Sequence, residues 1–401
     1  MLHYKVECSN SFNVLLLHRM QQQQHTAKKL LFVSNSCWSM YNFRKEVLES
    51  FIADGFEVHV LAQKDDFAAG LMNIGCKVHH IEFNNRELNP IADIALFWQL
   101  RKFYKKLQPI AIFHYVIKPN IYGSLAAGWL RIPSVALITG LGYAFKKRNW
   151  LFVLVQNLYR FALRRVKEVW LLNAEDVHLF QKHRIAKPSK LKLLHGEGIN
   201  TERFERKRYN DAKADKPFVF LMLTRNLWSK GIGTFADAAR ILRSKGYDFQ
   251  CRIFGFFEPH HPDSIPVEQM QAWRDEGLID YRGFANDVVP CLLQSHCFVL
   301  PSYYQEGVPR SLMEACSLEI PIITTNHTGC REVVDDGVNG YMCKVDNAED
   351  LAVKMAQLMS MPEAGRKAMG IAGRTLVQQK FDVKKIISEY KQFVAKVQHR
   401  S

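Results

Sequence analysis

The sequence predicts an α/β protein of two doubly wound, Rossmann-like domains facing a cleft. From Lys28 onward short apolar runs alternate with helical stretches, a polar and charged segment without periodicity follows from Arg203 to Lys216, and a second alternation opens at Pro217. Strands that alternate with helices form a parallel sheet covered on both faces. A chain of 401 residues is long enough for two such domains of about 150 to 200 residues each.

In the first alternation, strands are expected at Leu30–Val33, Glu57–Leu61, Lys77–Ile81, Ile110–His114 and Ser134–Ile138, where apolar residues run together. Helices fall between them at Tyr41–Ala53, near Phe67–Asn73, at Pro90–Leu107 and at Asn120–Trp129. Glu168–Leu172 and Lys190–Leu194 fit further strands of the same sheet. The second alternation has strands at Pro217–Leu223, Phe249–Phe254, Asp280–Arg282, Phe298–Leu300 and Ile320–Thr324. The last helix, Val383–Gln398, carries Ile386, Ile387, Tyr390, Phe393, Val394 and Val397 on one face. The expected boundaries are a poorly ordered extension over 1–27, in which Met20 is an alternative initiator, a first domain over 28–205, a linker over 206–216, a second domain over 217–380 and a terminal segment over 381–401.

Hydrophobic and charged contents of 48% and 23% are those of a soluble globular chain. The nine cysteines are scattered, odd in number and without Cys-x-x-Cys pairs, which argues against a disulfide framework or a structural zinc site and suits the cytoplasm. Trp150–Val155 is too short and too soon interrupted to span a membrane, and Val14–Leu17 lacks a cleavage site for a signal peptide. The formal charge of +15 is concentrated in the first half, where Arg101–Lys106, Lys146–Arg148 and Arg160–Lys167 interleave cations with aromatic or aliphatic residues. Such clusters suit an anionic membrane surface, at about 1 kcal/mol per nearby cation. Nucleic acid would attract the same charge, but no helix-turn-helix, zinc-finger or RNA-recognition signature accompanies it, so it is not an expected partner.

No glycine triplet follows the first strand, where Ser34–Met40 stands instead, and a Walker phosphate loop and an Asp-x-Asp metal clamp are both missing. A bound nucleotide diphosphate would therefore be neutralised by protein groups, with no cofactor or metal. The segment Glu306-Gly-Val-Pro-Arg-Ser-Leu-Met-Glu314 offers a site for it. A buried strand leads into a loop bearing Glu306, Val308-Pro309 starts a helix, and Glu314 lies within that helix. Ligands bind at this edge of open α/β sheets, where helix N-termini present free N–H groups and a carboxylate can accept from sugar hydroxyls. Between strand and helix, Thr224-Arg225-Asn-Leu-Trp-Ser-Lys230-Gly231 adds an arginine able to bind phosphate bidentately and a lysine.

The paired glutamates, the proline-bounded strand Ile320–Thr325, Gly329-Cys-Arg-Glu332 and Asp336-Gly-Val-Asn-Gly340 together resemble the retaining glycosyltransferases of family 4, which have the GT-B fold. With Lys118-Pro-Asn120, Thr139-Gly-Leu-Gly142 and Gly198-Ile-Asn200, the likeness is greatest to bacterial N-acetylhexosaminyltransferases that extend a polyprenyl-diphosphate-linked sugar. The resemblance implies that Arg225 and Lys230 hold the diphosphate, Glu306 the sugar and Glu314 the ribose, with Gly307, Val308 and Pro309 presenting backbone nearby. It implies a UDP-sugar donor, UDP-GalNAc or a related hexosamine, a lipid-linked saccharide acceptor, and work at the inner leaflet of the bacterial cytoplasmic membrane. His114 stands at the end of a strand as a candidate proton shuttle or hydroxyl ligand. Lys118, Asn120, Thr139, Gly140 and Arg44 are expected on the acceptor side. A nucleotide-sugar epimerase, a soluble-acceptor transferase and a membrane-docked scaffold are the competing readings.

Overall fold

The computed structural model describes residues 27–83, 89–140, 150–209 and 217–399. Residues 1–26 of the expected extension, Gly142, Lys146–Arg148 and residues 210–216 of the expected linker lie outside the described residues.

The first domain holds β1 (Lys29–Val33), α1 (Cys37–Ala53), β2 (Glu57–Ala62), α2 (Ala68–Asn73), β3 (Lys77–His80), α3 (Pro90–Leu107), β4 (Ala111–Tyr115), α4 (Ser124–Trp129), β5 (Ser134–Ile138), α5 (Trp150–Ala162), β6 (Glu168–Leu171), α6 (Ala174–Lys182) and β7 (Leu191–Leu193). Its seven strands pair in parallel in the order β3-β2-β1-β4-β5-β6-β7. The second domain follows with β8 (Phe218–Leu223), α7 (Ile232–Ser244), β9 (Phe249–Phe254), α8 (Val267–Asp275), β10 (Asp280–Tyr281), α9 (Val289–Leu293), β11 (Cys297–Leu300), α10 (Arg310–Ser317), β12 (Ile322–Thr325), β13 (Gly340–Cys343), α11 (Ala348–Ser360), α12 (Glu363–Lys380) and α13 (Val383–Gln398). Its six strands repeat the pattern as β10-β9-β8-β11-β12-β13. Each order reverses direction once, beside β1 and beside β8, and ligands bind past the carboxyl ends of the strands at such a reversal.

Residues Leu30–Val33 of β1 are wholly buried, as a central parallel strand covered on both faces requires. Asn89 caps α3 by accepting from Ile91 N and Ala92 N, Pro90 occupies the first turn, and Gln108 ends the helix in a left-handed conformation. The helix predicted from Tyr41 starts four residues sooner, because Ser36 is extended and its hydroxyl accepts from Ser39 N. The helix predicted from Asn120 opens as a π-turn over Pro119–Gly123, where a Cβ on Gly123 would stand only 2.5 Å from the His114 ring. Trp150–Val155, which the sequence marks only as too short to span a membrane, begins α5. Among the described residues no helix is long and apolar enough to cross one.

The chain passes between the domains earlier than the polar segment suggests. Ile199 N donates to Phe381 O and Val383 N donates to Ile199 O, each at 2.9 Å, so the outgoing and returning crossings lie hydrogen-bonded side by side. Phe204, inside the stretch read as polar, is buried, and its carbonyl accepts from Ser317 Oγ and Arg374 Nη1. Arg206 likewise donates to Leu318 O at 3.2 Å. Arg206, one of the cations that made this stretch look like a solvated linker, binds a second-domain carbonyl instead.

After the return crossing, α13 packs on α1 of the first domain. Tyr390 sits in an aromatic cluster with Phe32, Phe113 and Trp170, and its hydroxyl meets that of Tyr115 at 2.7 Å. Truncating a buried ring costs about 3 to 5 kcal/mol, and losing one buried hydrogen bond about 1 kcal/mol. Tyr390→Ala should therefore lower the unfolding free energy of the first domain by about 3 to 5 kcal/mol, and Tyr390→Phe by about 1 kcal/mol, as read from urea denaturation.

Candidate active site

Two loops of the second domain form the floor of the cleft. The β8–α7 loop turns through a single 3-10 turn, Trp228–Lys230, into Gly231, whose φ of +81° suits glycine. A side chain at that position would collide with Pro301 O, 2.1 Å from an added Cβ, so β8 and β11 end in contact. Tyr303 N and Ser302 Oγ both donate to Ser229 O, at 2.8 and 3.2 Å. These bonds fix the loop carrying Lys230 against the loop carrying Glu306.

On that floor Lys230 forms an ion pair with Glu306, both side chains about nine-tenths buried. Ser302 Oγ donates to the same carboxylate oxygen at 3.2 Å. Arg225 lies beside them, with Nη1 3.4 Å from Glu258 Oε1 and its guanidinium over the Tyr304 ring. Burial works against the Arg225 charge, but Glu258, Tyr304 and Glu306 outweigh it and hold the guanidinium above its ordinary value. Lys230 also stands over Tyr304, 4.9 Å from the ring centroid. Two cations, each paired with a carboxylate, and the N-terminus of α7 thus share one site, an arrangement that suits a diphosphate and its attached hydroxylic group.

Past Glu306 the backbone turns through Gly307, Val308 and Pro309 into α10. Glu314 is buried in that helix, accepts from Arg310 Nε at 2.9 Å, and is pushed above the usual carboxylate range by desolvation. Arg310 reaches the first domain by stacking on Phe43.

The first domain closes directly on Glu306 and Gly307. A Cβ on Gly307 would lie 2.4 Å from Thr139 O, and one on Gly140 3.1 Å from Gln305 O. Gly329, with φ +78°, approaches from the other side, where a Cβ would stand 2.5 Å from Gly307 O. Gly140 and Gly307 therefore allow backbone to meet backbone across the cleft, and Gly329 allows the same close approach within the second domain. Asn173, which caps α6, donates through Nδ2 to Gly307 O at 3.1 Å and to Glu306 O at 3.3 Å. Its neighbour Glu175 takes Thr328 Oγ1 and Arg331 Nη1.

The structure thus brings Arg225, Lys230, Glu306, Gly307, Val308, Pro309, Thr139 and Gly140 together and leaves Glu314 one helix turn behind them. Four acceptor-side expectations need correction. His114 is wholly buried between Tyr104 OH at 3.1 Å and Ser124 Oγ at 3.4 Å, and burial pushes it down to about 3, so it is a neutral core histidine away from the cleft. Lys118 donates to Asp93 at 2.7 Å, and Asn120 donates to Leu137 O at 2.9 Å. Both brace the π-turn. Arg44 is buried against the Tyr115 ring and pairs with Glu197, beside the crossings of the chain. Among the described residues no group of three or more His, Cys, Asp or Glu side chains is placed to hold a metal ion.

Both halves of this arrangement match known sequence families. Residues 29–173 match the glycosyl transferase 4-like model and residues 203–376 the glycosyl transferases group 1 model, which between them take in most of the chain. The chain belongs to the family 4 glycosyltransferases and has the GT-B fold. It is 29% identical over 342 residues, 82% of this chain and 88% of the relative, to the N,N'-diacetylbacillosaminyl-diphospho-undecaprenol alpha-1,3-N-acetylgalactosaminyltransferase of Campylobacter jejuni. It is 26% identical over 331 residues, 76% of this chain and 86% of the relative, to the capsular polysaccharide biosynthesis glycosyltransferase CapM of Staphylococcus aureus. The fold superposes with a TM-score of 0.76 on Anabaena HepE, crystallised with UDP and glucose, at 16% identity over 92% of this chain and 99% of that one.

Reading the sequence alone misses Asn173 and Glu175. Asn173 follows β6 and precedes two acidic residues, the pattern of a helix cap, and nothing local tells that the cap's amide also spans the cleft. Asn173→Ala should lower turnover by about 10-fold to 100-fold through misplacement of the Glu306 carboxylate while leaving UDP affinity unchanged, as separate turnover and binding assays would read.

Asp176, which accepts from Asn173 Nδ2 at 2.9 Å, is raised by desolvation from 3.8 to about 7. A carboxyl raised on folding holds a proton that the unfolded chain has lost, so its contribution to stability falls as pH rises from about 4 to 7 and is gone above that window. Asp176→Asn should therefore gain on the parent as pH rises, with a melting temperature about 3 °C closer to or further above it at pH 8 than at pH 4.5.

Proposed function

We propose that this chain is a retaining, metal-independent glycosyltransferase that moves an N-acetylhexosamine, GalNAc or a close relative, from a UDP donor to a polyprenyl-diphosphate-linked saccharide. It would act at the inner leaflet of the bacterial cytoplasmic membrane, in the assembly of a capsule, an O-antigen or a protein-linked glycan. The observation that carries the reading is the convergence of Arg225, Lys230 and Glu306 on one floor that the first domain closes over. The Campylobacter and Staphylococcus relatives support the lipid-linked acceptor and the polysaccharide setting, and the UDP held by HepE supports the donor.

In this reading Arg225, Lys230 and the N–H groups that open α7 neutralise the departing diphosphate, the role a metal ion has in other transferases. Glu306 accepts from the sugar hydroxyls, and Glu314 from the ribose. The anomeric carbon loses its bond to the phosphate oxygen and gains one to the acceptor oxygen on the same face. The acceptor's proton passes to the leaving phosphate oxygen. No side chain of the first domain is needed as a base, which fits a His114 buried in the core. Lys230 couples the two halves of the reaction, since it touches the sugar-binding carboxylate and serves the diphosphate.

The test is radiolabel transfer from a panel of UDP-hexoses and UDP-hexosamines to polyprenyl-diphosphate-sugar acceptors, with and without chelator. Chelator-insensitive label in the lipid phase from one N-acetylhexosamine donor is expected. Label confined to water, or an isomerised donor, would overturn the lipid-linked acceptor. Glu306→Gln should cut transfer about 100-fold or more with UDP binding retained, whereas Arg225→Ala should weaken UDP binding itself by about tenfold or more.

A further inference from the structure

The helices on the outer face of the first sheet carry features that the cleft does not use. α3, the π-turn with α4, and α5 pack beside one another over that face. Their outer surface exposes Ile91, Ile94, Trp98, Trp129, Leu154 and Phe161, with Trp129 56% and Phe161 60% accessible. Isolated apolar residues on a surface are ordinary, but a run of large ones across three adjoining helices marks a contact surface. Arg101 lies over both tryptophans, 5.3 Å from Trp98 and 5.5 Å from Trp129.

The charge on these segments is of one sign. Residues 90–107, 119–131 and 150–167 contain nine lysines and arginines and a single acidic residue, Asp93. Asp93 is buried, where it accepts from Lys118 Nζ and Tyr122 OH, each at 2.7 Å. The exposed charge of the three segments is therefore wholly positive.

Two adjoining cavities divide these properties between them. One, of about 440 Å³, is lined chiefly by Ile94, Phe97, Leu125, Trp129 and Phe161, with Arg164 and Arg165 and the mutually bonded Asp93 and Tyr122 beside Ser124 also on its wall. The other, of about 290 Å³, lies between Gly128, Arg131, Arg165 and Lys167. Arg165 belongs to both, so an apolar trough opens directly onto a pocket of three cations. A hydrocarbon chain beside a phosphate has that shape and that distribution of charge. A peptide would leave its backbone polar groups unmatched in the trough, and a free phosphate would leave the trough empty.

We propose that this face binds an anionic phospholipid of the bilayer, with its headgroup phosphate among Arg131, Arg165 and Lys167 and a hydrocarbon chain in the trough between α3, α4 and α5. Trp98 and Trp129 then lie at the level where indole rings settle in a membrane. The site deepens, and rests on, the reading that the acceptor is carried by a lipid. It gives the enzyme a fixed seat on the membrane apart from the cleft.

The experiment is flotation of the full chain with vesicles of phosphatidylglycerol and phosphatidylethanolamine, against vesicles of phosphatidylcholine alone. Binding to the anionic vesicles should be about tenfold or more the stronger and should weaken with salt. Arg131→Glu/Lys167→Glu and, separately, Trp129→Ser/Phe161→Ser should each lose about tenfold or more of that binding while keeping the parent's UDP affinity, since all four side chains are exposed and none lies in the cleft. Vesicles with chain-brominated lipid should quench the parent's tryptophan fluorescence more than that of Trp98→Phe/Trp129→Phe. Equal vesicle binding by parent and both double variants, competition by inorganic phosphate alone, or equal quenching would each overturn the site. The parent reading fails on a different result, the absence of transfer to any lipid-linked acceptor by a protein that still floats with anionic vesicles.

Discussion

The peptide between Glu306 and Gly307 is the constraint on which the arrangement depends. Lys230 and Ser302 fix the Glu306 side chain from the second domain, Asn173 binds both carbonyls from the first, and Thr139, Gly140 and Gly329 press on the backbone from two sides. Elements from both domains that are distant in sequence meet there. In the role proposed for Glu306, a carboxylate fixed in this way would need little reorganisation when substrate arrives, which is where electrostatic catalysis gains most of its advantage. It also ties the chemistry to closure, since half of the contacts come from the opposite domain.

The interdomain contacts are polar at the cleft and apolar behind it. Near the site, Glu175 meets Thr328 and Arg331. Farther back, one apolar cluster runs from Phe32 and Phe113 through Leu172, Ile199 and Val308 to Leu312 and Phe298, joining the two cores. Hydrogen bonds at the cleft can exchange with water as it opens, whereas the apolar seam keeps the domains together.

Much of this was legible in the sequence, for reasons that differ from place to place. The bounds of α3, β5, β9 and α13 follow from caps, prolines and apolar runs that act locally. Arg225, Lys230 and Glu306 were legible because the ends of parallel strands are where such residues gather. His114 was not, because residues of a strand buried on both faces carry no mark of which way they point. Arg44 and Lys118 were misplaced for a related reason. A cation in an apolar stretch suggests a ligand, yet here Glu197 and Asp93, far off in sequence, pair with them. Asn173 was hidden by having two roles, the local one sufficient to explain it.

The crossover helix has a bearing on how the protein is made. The first domain's aromatic core includes Tyr390 and Phe393 of α13, which follows the whole second domain in the chain, while Phe32, Phe113 and Trp170 precede that domain. On a ribosome those early residues emerge long before their partners do. The first domain must wait, partly assembled, while the second is synthesised, and it completes its core only once α13 has emerged. Chaperones would meet it during that interval, with the apolar groove for α13 still open.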